Sequence, residues 1–342
     1  MQTLLVTGGA GFIGSNFIHY WSERYPNDTI VNVDKLTYAG DLRNLDGVAN
    51  DKEKKYFFEK ADICDKSAMV CIFRKYKPAI VVNFAAESHN SRAIIFPAIF
   101  FQTNVIGTQT LLDVAVEFGV HRFHHVSTCE VFGDLELDST EIFHEGSPLD
   151  PRTPYSASKA AADHAVIAYN RTYNLPITIS NCANNYGPRQ FIEKVIPLFI
   201  TRALKSEPIP VYVNANYKRE WIYVEDHCRA IDMILRSGKI GETYNVGTGE
   251  ELEVGELANL VVKATKRSQE LIISVTDRPS HDKRYLLDST KIQSTLGWEP
   301  SVTFKEGLVK TVKWYTLNQE WREGQEQRLE IDESQWEKYT HK

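Results

Sequence analysis

The sequence predicts an α/β fold built on a doubly wound parallel sheet, and three observations support that expectation. Short apolar runs alternate with longer stretches of helical periodicity through the first half of the chain. Runs such as 79–86 (AIVVNFAA) are apolar nearly throughout, as strands covered on both faces should be. A glycine-rich turn, 7–14 (TGGAGFIG), joins the first strand to the first helix.

The elements follow in order. Residues 3–7 (TLLVT) read as a buried strand, and 8–25 (GGAGFIGSNFIHYWSERY) as a turn opening a helix. A second strand, 29–34 (TIVNVD), ends at Asp34; a third, within 54–63 (KKYFFEKADI), ends near Asp62 and leads to a helix over 66–76. After the AIVVNFAA strand, 100–118 has long helical periodicity, and 121–128 (HRFHHVST) is the next strand. A helix over 156–173 and a strand at 176–181 (PITISN) complete the pattern. Beyond Gly187 the chain is irregular and proline-rich, with Pro188, Pro197, Pro208 and Pro210. Residues 1–187 are therefore expected mainly to bind a dinucleotide and 188–342 mainly to form a smaller substrate-binding lobe, with segments near 221–246 able to return to the first sheet.

Composition narrows the function. The 342 residues are 42% hydrophobic, enough to bury cores in two lobes. The net charge of -6 comes without a block of like charges, which argues against a nucleic-acid partner. Cys64, Cys71, Cys129, Cys182 and Cys228 are widely spaced and form no CxxC pair. Neither a disulfide framework nor a metal site is expected, and a reducing, cytoplasmic setting is. No basic leader precedes a long apolar run, and no apolar run approaches the length of a membrane span. Trp314, Tyr315, Trp321 and Trp336 read as docking and core residues.

The glycines have a chemical reading. Gly8 permits a tight turn, Gly11 lets backbone approach a pyrophosphate, and Gly14 lets helix meet sheet. The fold expected is therefore Rossmann-like. Asp34 closes the next strand 20 residues after Gly14, where a carboxylate can accept both ribose hydroxyls. A 2′-phosphate would meet negative charge there, so NAD is favoured over NADP, a preference that Lys35 tempers. Asp62 is expected near the adenine edge. Phe12, Ile13, Ile63, Ala85 and Asn185 complete the expected cofactor contacts.

Tyr155 and Lys159 lie four apart on a helix and share a face. An ammonium beside a phenol favours phenolate, which can take a proton from a sugar hydroxyl as hydride leaves the same carbon. Thr128 can bond to that hydroxyl, whereas strand alternation points Ser127 away. Glu130, two residues on along an extended segment, can act as base toward a carbon acidified by a neighbouring ketone. In 277–285 (DRPSHDKRY), Arg278, His281, Arg284 and Tyr285 suit a diphosphate, and Lys194 and Arg219 can add charge from other loops. Asn184 and Asn185 offer amides to sugar or nicotinamide.

With these motifs in order, the chain resembles the nucleotide-sugar 4,6-dehydratases of the extended short-chain dehydrogenase/reductase superfamily. The likeness runs through TGGAGFIGSNF, DKLTYAG, NFAAESH, TNVIGTQTLLD, STCEVFG, PYSASKAAADH, NNYGPRQF, REWIYVEDHCRAI, YNVGTG, DRPSHDKRY and LGWEP, over about residues 1–316. The resemblance implies a lyase that oxidises C4 of an NDP-hexose, of the dTDP- or UDP- kind, with NAD, eliminates water across C5 and C6, and returns hydride to C6. Tyr155 and Lys159 match the oxidising pair, Thr128 the residue on the 4-hydroxyl and Glu130 the C5 base. Ser88, Asn184, Lys194, Arg219, Arg278, His281 and Tyr285 match sugar-nucleotide contacts. A homodimer built on helices near 100–118 and 156–173 is also implied.

Three departures stand out. The family's Thr-Asp-Glu is Thr128-Cys129-Glu130 here, its Val-Asp-Arg is Asn90-Ser91-Arg92, and VNANYKREW replaces its Gly-Asp-Gly. A carboxylic acid with ordinary pKa about 3.9 must be held protonated, whereas a thiol near 8.5 already is. Cys129 is thus expected to stand in as the acid for the leaving C6 hydroxyl, with weaker driving force. Two other outcomes are hydride return to C4, as in a 5,6-dehydratase or a C4 epimerase, and a non-catalytic NAD or sugar-nucleotide binding protein.

Overall fold

The computed structural model describes residues 1–277 and 280–329. Trp336 lies outside the described residues. In chain order the strands are β1 (Thr3–Thr7), β2 (Thr29–Asp34), β3 (Lys55–Lys60), β4 (Ile80–Asn83), β5 (Arg122–Thr128), β6 (Ile177–Cys182), β7 (Asn184–Tyr186), β8 (Ile209–Tyr212), β9 (Lys218–Tyr223), β10 (Thr243–Val246), β11 (Glu251–Glu253) and β12 (Ile272–Val275). Seven of them form one sheet in the order β10-β6-β5-β4-β1-β2-β3. Every neighbouring pair in it is parallel. The Rossmann-like, doubly wound expectation is met.

Both faces of the sheet are covered, which explains its apolar strands. One side packs Leu5, Val31 and Val81 against Phe73, Leu111 and Val166. The other packs Leu4, Val6 and Val82 against Phe17, Ile18, Ile231 and Leu235. Each such side chain contributes roughly 1.5–3 kcal/mol on leaving water, before chain entropy is subtracted.

The region near 221–246 divides. Trp221 belongs to β9, which pairs with β7 and β11 in a separate three-stranded sheet. The Val224–Ser237 helix that follows covers the large sheet, and β10 joins that sheet beside β6. A further cluster, including Phe199, Trp221, Leu257, Leu308 and Tyr315, fills the lobe around β8 and β9.

Two helices differ from their sequence reading. The 100–118 helix is preceded by a turn at Pro97–Phe100, runs as a π-helix over Phe101–Gly107, and is regular only over Thr108–Phe118. The helix expected from 156 begins at Pro154, because Thr153 caps it. Thr153 Oγ1 accepts from Ser156 N at 3.1 Å, and Ser156 Oγ accepts from Thr153 N at 3.0 Å. That reciprocal cap, with proline at the first helical position, puts Tyr155 inside the first turn. Among the described residues no helix is long and apolar enough to cross a membrane.

Candidate active site

The sheet order reverses between β1 and β4, and the carboxyl ends of strands flanking such a switch point form a crevice. There the structure has a cavity of about 770 Å³, within the usual range for ligand sites. It is lined by Gly8, Gly11, Phe12, Ile13, Gly14, Asp34, Lys35, Asp62, Ile63, Ala85 and Asn185 at one end. Ser88, Thr128, Glu130, Tyr155, Lys159, Asn184, Lys194, Arg219 and His281 line it further along.

The first end fits a dinucleotide. Gly8 holds a φ of +68°, and a Cβ on it would stand 2.7 Å from Ala85 N. A Cβ on Gly14 would stand 2.4 Å from Gly8 O, so this turn admits no side chain. Gly11 precedes the Phe12–Arg24 helix, which has no side-chain cap and no acidic residue in its first turn. Its leading N–H groups and positive dipole end are thus available to a pyrophosphate. Asp34 Oδ2 accepts from Ala10 N at 2.9 Å and Oδ1 from Leu36 N at 2.8 Å, which fixes the carboxylate at the end of β2. Lys35 pairs with Asp62 at 2.6 Å instead of offering a free cation to a 2′-phosphate.

The chemical groups meet at the ends of β5 and the Pro154–Tyr173 helix. Tyr155 is buried, and its ring stands edge-on to Phe100 at 6.3 Å. Burial, followed by the neighbouring Glu130 charge, pushes its phenol well above the usual tyrosine range. Lys159 Nζ donates to Val126 O at 2.8 Å and lies 3.1 Å from His125 Nε2. Burial draws its ammonium down to about 8 and pushes the nearby Asp163 carboxyl up to about 7. Ser127 also lines the cavity, but its hydroxyl is spent on Asp163, donating to Oδ2 at 2.7 Å.

This ammonium gives a signed expectation. With Lys159 as the expected support for proton release from Tyr155, that charged form is lost as pH rises through about 8. C4 oxidation should therefore slow on the alkaline side of that pH, and Lys159→Arg should carry the limb upward. Single-turnover rates across pH test this; a limb unmoved by Lys159→Arg would assign it to another group.

Glu130 reaches the cavity by a different route from the one expected. The chain does not continue extended after Thr128 but turns into a 3-10 helix over Cys129–Phe132. That turn also corrects the reading of Cys129 as an acid open to the substrate. Cys129 is 1% exposed, is not among the cavity-lining residues, and packs with Val131, Phe132, Cys182 and Ala183. Burial pushes its thiol well above the ordinary range, which weakens it further as an acid.

The substrate end is also redistributed. Lys194 Nζ donates to Ser88 O at 2.7 Å. Arg219 Nη1 donates to Lys218 O at 2.7 Å and Lys283 O at 3.1 Å, and its guanidinium lies 4.7 Å over the Tyr285 ring. Tyr285 itself is 2% exposed and does not line the cavity; it supports Arg219 from below instead of touching a ligand. Arg284 is likewise withdrawn, making a bidentate pair with Glu251 at 2.7 and 2.9 Å. Arg278 lies outside the described residues.

Several lining residues escaped the sequence reading. Tyr38 Oη donates to Glu193 Oε1 at 2.9 Å, and Arg92 lies 4.1 Å over the Tyr38 ring. These three positions are 54 to 155 apart in sequence pairwise contacts, a separation that leaves no local pattern. Asn104, in the π-helical segment, is legible only in three dimensions. It accepts from Glu87 N at 2.8 Å and donates to Ser158 Oγ at 2.8 Å, tying the Ser88 loop to the helix of Tyr155.

Comparison with known proteins agrees with this geometry. A family model described as GDP-mannose 4,6 dehydratase matches residues 5–311. A dTDP-glucose 4,6-dehydratase of Salmonella typhimurium is 45% identical over 93% of this chain and 94% of its own. The crystal structure of a dTDP-glucose 4,6-dehydratase from Streptomyces venezuelae with NAD bound superposes with a TM-score of 0.90. It is 43% identical, covering 94% of this chain and 99% of that one. A UDP-glucose 4-epimerase from Thermotoga maritima, solved with UDP-glucose, has a TM-score of 0.86 at 30% identity, covering 93% of this chain and 99% of that one.

Proposed function

This chain belongs to the GDP-mannose 4,6-dehydratase family, and we infer that it is an NAD-dependent lyase that converts dTDP-glucose to the 4-keto-6-deoxy sugar nucleotide. The observation that supports this most is the single cavity holding both the glycine cradle and Thr128, Glu130, Tyr155 and Lys159. Asp34 and the cradle would hold the dinucleotide, and Lys194, Arg219 and His281 the sugar nucleotide. The chemistry NAD supplies when bound is hydride transfer, from C4 of the sugar and later back to C6.

The protein's own residues handle the protons. Tyr155 Oη takes the proton of the 4-hydroxyl as C4 becomes a carbonyl, with Thr128 orienting that hydroxyl and Lys159 supporting the phenolate. The new ketone acidifies C5, and Glu130 removes its proton as the C5–C6 double bond forms and the C6–O bond breaks. The departing oxygen needs a proton to leave as water. With Cys129 beneath the surface, Glu130, now carrying the C5 proton, is the acid at hand; as hydride reaches C6, C5 takes up a proton from solvent, and Tyr155 returns the 4-hydroxyl proton to solvent, which closes the balance. Cys129→Ala should then slow elimination less than tenfold, an order set by loss of packing and not of an acid. A much larger loss, seen as product formation lagging behind C4 oxidation, would restore the acid role to the thiol.

The reaction itself is tested with dTDP-glucose carrying deuterium at C4. Loss of water with deuterium delivered to C6 is expected; unchanged mass with inverted C4 would make the protein an epimerase. A retained 5,6 double bond would make it a 5,6-dehydratase, and tight binding without turnover a binding protein.

Residues 1–187 mainly serve the dinucleotide and 188–342 mainly the substrate, and the free cysteines suit a cytoplasmic setting. The exposed Phe96, Ile99, Phe101 and Ile106, beside the Pro154–Tyr173 helix, suit a homodimer contact. Sedimentation showing only monomer would remove that assignment.

A further inference from the structure

Asn90 occupies the first position of the Asn90–Ile95 helix. Its side-chain amide is engaged at both ends. Nδ2 donates to Glu130 Oε2 at 3.0 Å, and Oδ1 accepts from Thr153 Oγ1 at 3.0 Å. The orientation is fixed by chemistry: an ionised carboxylate only accepts, so the NH2 end must face it and the carbonyl end must face the threonine hydroxyl. Thr153 is in turn the cap of the helix that carries Tyr155 and Lys159. One amide therefore ties the carboxylate used in elimination to the helix used in oxidation. Among the described residues, Asn90 is the side chain that donates to Glu130.

We propose that Asn90 is a positioning residue for the elimination step. It holds Glu130 Oε2, leaving Oε1 as the oxygen that takes the C5 proton and returns it to the leaving C6 hydroxyl. The proposal rests on the reaction inferred above.

The test uses the NAD-loaded protein with Asn90→Val and Asn90→Asp. The aspartate is nearly isosteric and keeps an acceptor for Thr153, but it sets a carboxylate against Glu130, so it separates loss of the contact from loss of packing. Rapid mixing with dTDP-glucose follows reduced-nicotinamide absorbance for C4 oxidation and chemical quench follows elimination. In both variants elimination should slow by about tenfold to a hundredfold, the range for losing a hydrogen bond to a charged group. Oxidation should keep its wild-type rate, reduced nicotinamide should accumulate, and KM should hold while kcat falls. Elimination at the wild-type rate in either variant overturns the proposal, as does equal slowing of both steps. A wild-type protein that forms no 4-keto-6-deoxy product removes the reaction itself, an outcome read before any variant is compared.

Discussion

Replacing Tyr155 by phenylalanine is expected to lower kcat by about 10²–10⁴, the range for removing a general acid–base group. The loss should fall on the first chemical step, so no reduced nicotinamide should appear after mixing with substrate. The ring itself stays. Its edge contact with Phe100 at 6.3 Å and its buried position do not depend on the hydroxyl. What folding loses is at most one hydroxyl hydrogen bond, about 1 kcal/mol. The activity loss corresponds to roughly 3–5 kcal/mol of transition-state stabilisation, so the chemical effect should exceed the structural one severalfold. A variant that still oxidises C4 at the wild-type rate would show that another group takes the hydroxyl proton.

Replacing Glu130 by glutamine should give the opposite signature. The amide is close to the carboxylate in shape but is not a base. Elimination should fall by about 10²–10⁴, whereas C4 oxidation, for which the proposed mechanism uses Thr128, Tyr155 and Lys159, should survive. Reduced nicotinamide should therefore form and persist. The pair of variants separates the two halves of the reaction: no signal in Tyr155→Phe, a long-lived signal in Glu130→Gln. Product formation at an undiminished rate in Glu130→Gln would move the base, and with it the role given to Asn90, to another residue.

Much of this site was legible along the chain because its logic is local. Gly8, Gly11 and Gly14 answer to one turn, and an added Cβ on Gly14 would stand 2.4 Å from Gly8 O of that same turn, whereas the 2.7 Å contact at Gly8 comes from Ala85, beyond β4. Asp34 follows from the length of one β-α-β unit, and Tyr155 and Lys159 from one helical turn. The apolar strands announced their covered faces in the same way.

Where local pattern and global packing diverged, packing decided. Cys129 sits between two residues that line the cavity, yet the 3-10 turn after β5 sends it into the apolar layer. Arg284 looked like a diphosphate ligand beside His281, but Glu251, from β11, holds it in a bidentate pair. Tyr285 supports Arg219 instead of facing a ligand.

The sequence by itself determined a parallel α/β sheet, a glycine turn at the head of the first helix and a Tyr155–Lys159 pair on one helical face, because each depends on neighbours within one turn or one strand-helix unit. Only the tertiary structure decided which groups share the cavity and how they are held. Asn90 meets Glu130 across 40 residues and Thr153 across 63, distances over which no periodicity survives. Such contacts exist because the sheet brings its strand ends together, and the direction of each side chain there is set by burial and by the partners folding supplies.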